Sequence, residues 1–364
     1  MLLTLSLLAS LLANVATQDS AAVYGDDTRL DLEDLTDADF AQRVAASSAA
    51  QIPLAMIEVE EPTGLLRFGD RRLGEAYNLC DDEAFYDQLA IAMCSGTLIA
   101  PNLLLTAGHC VDTEPRCDEL GWVFGFDNHV SEGTKRLHRE DLYTCHAVHA
   151  LRFEREYDLD WDYAVVELDR PVRAPYAAAS LAPNHTDRVS REPLFVVSYP
   201  SGLPLKVDLD AYVTHVRNIE RDYFTLMADT FSGSSGGGVF TADSGELVGI
   251  LVRTAGNYVR DTQNRCYRVL SLDENAPWSG FYESASYADT AIEAFCATTF
   301  GQEQPLCQAE AETPTTPLPD ENADLMVVGG GGGCDVGGGL VPAAVAWGWC
   351  VAAGVVIRRR PRRR

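Results

Sequence analysis

The sequence predicts an all-β body followed by one packing helix. From Met93 onward, short apolar runs recur: CSGTLIA, NLLLTA, GWVFGF, YAVVEL, LFVVSY, GGGVF and ELVGILV. They are rich in Val, Leu, Phe and Tyr and are separated by Pro, Gly, Asp and Asn, the pattern of many short strands joined by tight turns. Only residues 287–298 (YADTAIEAFCAT) carry a helical period, with Ala291, Ile292, Phe295 and Cys296 on one face and Asp289 near the start.

Taken in order, the chain begins with an apolar, uncharged stretch at residues 2–13 that gives way abruptly to Gln18-Asp19, so residues 1–16 read as a secretory signal peptide. Residues 17–61 form an acidic N-terminal segment, a candidate prosegment. Within it residues 26–40 are rich in acids and residues 45–50 are small and polar, so neither is expected to build core. The β body spans residues 62–301. Residues 302–333, with TPTTPLPDENAD and a glycine run, have almost no large apolar side chains and read as an extended stalk. Residues 334–364 form a terminal anchor. Residues 340–357 carry no formal charge, and as a helix would reach roughly 27 Å, close to the thickness of a bilayer core. The cluster RRRPRRR that follows would hold its end on the inner side.

With 46% apolar and 23% charged residues, the chain is neither wholly disordered nor fibrous. Its net charge of -26 repels nucleic acid over most of the surface and removes DNA and RNA from the expected partners. The chain holds 10 cysteines. An exported chain uses such a set for disulfides, although spacing alone does not decide their connectivity. Cys117 with Cys145 and Cys296 with Cys307 are candidate pairs. Cys145, His146 and His149 lack a second ligand cluster and read as a disulfide half beside two surface histidines rather than a zinc site.

Three segments carry chemistry. Thr106-Ala107-Gly108-His109-Cys110 follows an apolar strand, so His109 stands where a strand ends in a turn among small neighbours. Asp162 lies within WDYAVV, an apolar strand where a lone carboxylate is costly unless a donor such as an imidazole N–H meets it. Asp158 and Asp160 compete for this role, but their polar setting suits a solvated turn. FSGSSGGG places Ser235 in a glycine loop able to present consecutive backbone N–H groups. Nucleophile, base, orienting acid and oxyanion donors are the parts that acyl transfer requires. The candidate oxyanion donors are the N–H groups of Gly233 and Ser235. A nucleotide-binding reading fails because GSSGGG lacks the Lys-Ser/Thr of a phosphate loop.

The motifs TAGHC, DYAVVEL and GSSGG, in the chain order His, Asp, Ser, resemble those of trypsin-like (chymotrypsin-fold) serine peptidases. VYGDDTR, LCDDEAFYDQ, CSGTLIAPNLLLTAGHC, DYAVVELDRP and DTFSGSSGG are similar to the bacterial glutamyl-endopeptidase-like branch, over about residues 23–300. The resemblance implies two six-stranded antiparallel β-barrels with the site between them, and a Cys94–Cys110 bridge holding the loop that bears His109. It also implies His109, Asp162 and Ser235 as catalytic residues, acting on protein or peptide substrates without metal or organic cofactor. Asp229, Thr230, Leu251 and Arg253 fall at its substrate-binding positions. Asp229 stands where trypsin selects Arg and Lys, yet glutamyl endopeptidases read DTFSG there too. Leu251 stands where the Glu-specific relatives place a His, and Arg253 either attracts acidic side chains or pairs with a surface acid. Ser234 replaces the Asp that pairs with a newly released N-terminus in trypsin, and no Arg/Lys-Ile-Val-Gly-Gly lies upstream, which argues against a salt-bridge activation switch.

The glycine run, Cys334, the short apolar segment and the terminal arginines resemble the MYXO-CTERM sorting tail. That resemblance implies processing near Cys334 by a sorting protease, contact with the membrane through the C-terminal helix, and a location at the cell envelope or surface. The expectation is an exported, envelope-anchored serine endopeptidase. The competing expectation is an inactive homologue serving as a surface binding module or adhesin.

Overall fold

The computed structural model describes residues 22–112, 114–254, 256–272 and 283–308. All of these belong to one compact unit, residues 1–313; the second unit, residues 314–364, lies outside them, as do the expected signal peptide, Cys334 and the apolar tail. Among the described residues no helix is long and apolar enough to cross a membrane.

Six antiparallel strands close the first barrel, in the order Leu159–Leu168, Leu103–Thr106, Cys94–Ala100, Ser48–Pro53, Leu120–Phe124 and Leu142–Glu156. Closure leaves no unpaired edge. Leu103, Leu104 and Leu105 are all buried, because one side of their strand faces the barrel interior and the other is covered by the rest of the molecule. The strand Leu159–Leu168 pairs on one side with Leu103–Thr106, Ala164 opposite Thr106, and on the other with the long strand Leu142–Glu156.

A second ring comprises Pro193–Ser198, Gly238–Thr241, Leu247–Arg253, Glu283–Tyr287, Tyr223–Met227 and Lys206–His215, closed by the pairing of its first and last strands. Arg29–Leu30 adds to the outer side of Lys206–His215. Leu194, Val196, Val213, Leu226, Val248 and Leu251 fill its interior. The architecture is all-β, with two six-stranded antiparallel rings, as the sequence predicts.

The helix Ala288–Cys296 buries Ala291, Ile292 and Phe295 of the face that the periodicity assigned to it, together with Ala288, while Cys296 is half-buried. Just beyond it, Phe300 stacks on His149 with ring centroids 3.8 Å apart, while His149 Nε2 meets Glu167 Oε2 at 2.7 Å. Four disulfides staple the body: Cys80–Cys266, Cys94–Cys110, Cys117–Cys145 and Cys296–Cys307.

Two boundaries differ from expectation. Residues 45–50 read as small and polar, yet residues 48–50 begin the barrel strand Ser48–Pro53, with Ala49 opposite both Gly96 and Phe124 and Ala50 opposite Ser95 and Val123. Large side chains, Trp122 and Phe124 among them, already fill the interior, so their neighbouring strand must be small for the volume to close at normal packing density. The expected stalk also starts too early, since residues 301–308 form two short helical turns tied back by Cys296–Cys307.

Leu104 is fully buried in the first barrel. Leu104→Ala should lower unfolding free energy by about 2–5 kcal/mol, the range for emptied core positions, read as a fall in the denaturant midpoint at unchanged slope.

Candidate active site

The strand Leu103–Thr106 runs directly into the turn Gly108–Cys110, which carries His109. A Cβ on Gly108 would stand 2.6 Å from the Arg152 carbonyl oxygen and 3.0 Å from that of Tyr163, so only glycine lets this turn lie against the neighbouring hairpin. The turn thereby delivers His109 to Asp162, the residue before Tyr163. His109 Nδ1 lies 2.7 Å from Asp162 Oδ2, and the His109 backbone N–H donates to Asp162 Oδ1 at 3.1 Å. The Asp162 side chain is 3% exposed and that of His109 31%. Two donors satisfy a carboxylate that burial would otherwise penalise. They also fix the tautomer, with the proton on Nδ1 and the Nε2 lone pair free.

Neither Asp158 nor Asp160 is the acid that meets His109. Asp160 pairs with Arg155 and Arg253, and the Asp158 carbonyl accepts from Arg217. Ser286, on the second ring, donates its hydroxyl to the Asp162 carbonyl at 2.7 Å and ties the two rings together at this point.

The Ser235 loop is seated by its backbone. Ser95 N donates to the Ser235 carbonyl at 2.7 Å, Gly236 N to the Leu251 carbonyl at 2.6 Å, and Gly237 N to the Ser234 carbonyl at 2.8 Å. Gly236 has φ +83°, and a Cβ there would stand 2.0 Å from the Ser95 carbonyl oxygen, so both conformation and space demand glycine. Among the described residues the N–H groups of Gly233 and Ser235 make no hydrogen bond. They are available to a developing negative charge. Ser235 is 9% exposed, and its carbonyl lies 3.9 Å from Cys110 Sγ, beside His109. Its hydroxyl forms no hydrogen bond among the described residues, the one to His109 Nε2 included. The Phe153 ring, 53% exposed, stands 5.8 Å from the imidazole and walls one side.

Sequence reasoning missed the groups that hold this loop. Ser234 Oγ accepts from Ser198 Oγ at 3.0 Å and from Phe231 N at 3.3 Å, while Ser95 Oγ donates to the Gly233 carbonyl at 2.8 Å. Ser234 therefore meets internal partners at the place where trypsin uses an ion pair. Short hydroxyl side chains in strands carry no periodic signal that would have flagged Ser95, Ser198 or Ser286.

The expected substrate contacts need correction. Asp229 is buried, and its carboxylate accepts from Tyr24 N at 3.0 Å, from Thr28 N at 2.7 Å and from the Thr28 hydroxyl at 2.8 Å, so the N-terminal segment occupies it. Leu251 points into the second core, contributing its backbone rather than its side chain to the loop. Arg253 pairs with Asp160, which selects the surface-acid alternative. Thr230 is fully buried.

Residues 94–250 match the trypsin-like peptidase domain. The matched span contains His109, Asp162 and Ser235, and the fold is chymotrypsin-like. Among solved structures, the VesB protease of Vibrio cholerae is 14% identical with a TM-score of 0.43, the match covering 69% of this chain and 63% of that one. A Glu endopeptidase in complex with MPD is 15% identical with a TM-score of 0.43, covering 75% and 96% respectively. An inactivated protease paralogue of the scabies mite is 15% identical, also at 0.43, covering 74% and 96%. The chain thus spans less than two thirds of the Vibrio protein. No curated protein matches the sequence.

Gly236→Ala should unseat the loop through the clash with Ser95 and the forced positive φ. Its expected signature is a thermal midpoint several degrees lower, corresponding to a loss of at least ~1–3 kcal/mol.

Proposed function

We propose that this chain is a serine endopeptidase that cleaves protein or peptide substrates through an acyl-enzyme. The observation that carries the reading is the doubly hydrogen-bonded His109–Asp162 pair lying beside a glycine loop whose Gly233 and Ser235 N–H groups are unpaired among the described residues. His109 Nε2 takes the proton of the Ser235 hydroxyl as Oγ bonds to the scissile carbonyl carbon. The carbonyl oxygen, now negative, accepts from the two N–H groups, and Asp162 stabilises the imidazolium. Collapse of the tetrahedral species breaks the C–N bond, with the His109 proton passing to the leaving amine. Water, deprotonated by His109, then attacks the ester and restores the Ser235 hydroxyl.

Specificity for Arg or Lys is not part of the proposal, because the Asp229 carboxylate is engaged by Tyr24 and Thr28 and has no face left for a substrate cation. Export by residues 1–16 and envelope attachment through the tail around Cys334 complete the reading; they rest on the sequence alone. Mass analysis of the cell-associated protein should find a chain ending near Cys334; one retaining all six terminal arginines would overturn the sorting part.

The catalytic proposal is tested by fluorophosphonate labelling of the folded protein. Labelling at one serine is expected, and it should vanish in Ser235→Ala. Asp162→Asn, which favours the wrong imidazole tautomer, should slow peptide hydrolysis by about 10⁴-fold. Folded wild-type protein that takes no label would favour the binding-module reading, and label retained in Ser235→Ala would remove Ser235 from the mechanism.

A further inference from the structure

Residues 22–31 are bound along their length to the second ring and to the chain leading to Ser235. Val23–Tyr24 pairs in parallel with Ser271–Leu272, and Arg29–Leu30 pairs with Asp208 and Val207. Between these anchors Thr28 meets two buried carboxyl groups at once. Its Oγ1 lies 2.9 Å from Asp208 Oδ1 and 2.8 Å from Asp229 Oδ2, while Asp229 N donates to Asp208 Oδ2 at 2.7 Å. A hydroxyl has a single proton to give. It can point fully at only one carboxylate; the second short contact is met either by sharing that proton between the two or by a protonated carboxyl that donates to the threonine oxygen. Two buried carboxyl groups converging on one hydroxyl make a place where an additional proton can be held between them.

Asp229 lies on the chain that leads into the nucleophile loop. Phe231, two residues on, donates its N–H to Ser234 Oγ and accepts from Ser234 N, and its ring lies 4.0 Å from the Arg29 guanidinium. A continuous set of contacts joins Thr28 to the residue before Ser235.

We propose that residues 22–31 brace the nucleophile loop, and that Thr28 is the positioning residue of this brace, joining Asp208 to Asp229 through one shared proton whose loss at higher pH slackens the loop carrying Ser235. The consequence for catalysis rests on the peptidase reading; the brace itself does not.

The surrounding charges favour retention of the proton. Arg29 is the nearby cation, but it is held bidentately by Asp27; Lys206, on the same strand as Asp208, is held by Asp31; and Asp210 adds a further negative charge beside Asp208. Burial, followed by the facing Asp208, pushes Asp229 up to about 7, and burial raises Asp208 as well. An unfolded chain releases this proton in the ordinary carboxylate range, near 4. Between there and about 7 the folded state binds a proton that the unfolded state has lost, so stability is greatest at the acid end of the window, falls as pH rises through it and levels off above.

The test follows hydrogen exchange of the backbone amides at residues 229–235, together with the rate of fluorophosphonate labelling, from pH 5.5 to 9 in the full chain, its Thr28→Val and Thr28→Ser variants, and Asp208→Asn. Wild type should lose exchange protection in a step near pH 7, with the protonated population falling about tenfold per pH unit above it and labelling falling in parallel. Thr28→Val should remove the step and exchange fast throughout, whereas Thr28→Ser should restore it. Asp208→Asn, whose amide is a permanent donor toward Thr28, should keep protection and labelling above pH 8. A wild-type profile with no step, or the same step in Thr28→Val, would overturn the brace. Absence of labelling at every pH would instead sink the peptidase reading, leaving the exchange profile to decide the brace on its own.

Discussion

The hydrogen-bonded pair of His109 and Asp162 sets the terms for the rest of the molecule. A buried carboxylate is tolerable only with donors on it, and both donors come from one residue, the backbone N–H and the imidazole of His109. That requirement dictates how closely the turn Gly108–Cys110 approaches the hairpin of Leu142–Glu156 and Leu159–Leu168, and hence why position 108 has no side chain. It also places the pair where Ser286 reaches across from the second ring, so the relative seating of the two rings and the alignment of the imidazole are one geometric fact.

Small side chains and hydroxyls do the rest of the positioning. Gly236 sits against the Ser95 carbonyl, Ser95 bonds the Gly233 carbonyl, and Thr106 donates to the Ser95 carbonyl at 2.7 Å. Residues of the first ring thus grip a loop of the second ring through backbone groups. These contacts leave the loop little rotational freedom, which is the preorganisation that the proposed oxyanion role of its N–H groups requires.

The chain carries 54 acids, and its interior contains several of them. Each finds a different solution to the same desolvation problem. Asp162 takes two N–H donors, Asp31 takes Lys206 and Gln88, and Asp222 takes Arg217. Asp208 and Asp229 share the Thr28 hydroxyl. Unlike Asp31 and Asp222, Asp208 and Asp229 meet each other and have no Lys or Arg among the partners described above, which is why they are the pair expected to respond to pH in the neutral range.

Recurring short apolar runs, the turn residues between them and one helical period made the all-β class and the packing helix legible, since these signals are local along the chain. The chain order of His109, Asp162 and Ser235 pointed to the site because the chemistry restricts which residue types are useful. Ser48–Pro53 was not legible: its small side chains signify core only once Trp122 and Phe124 are known to stand opposite. Asp229 could not be separated from a substrate-binding acid, because its partners Tyr24 and Thr28 lie some 200 residues away in the chain. For the same reason the sequence leaves open whether Leu251 and Arg253 reach a substrate, since whether a strand residue faces core, cleft or solvent depends on which elements cover the sheet. Sequence alone thus determined the kinds of secondary structure and named the candidate reactive groups. Tertiary structure decided which buried acids are held by which donors, because that depends on distances across the fold and not on spacing along the chain.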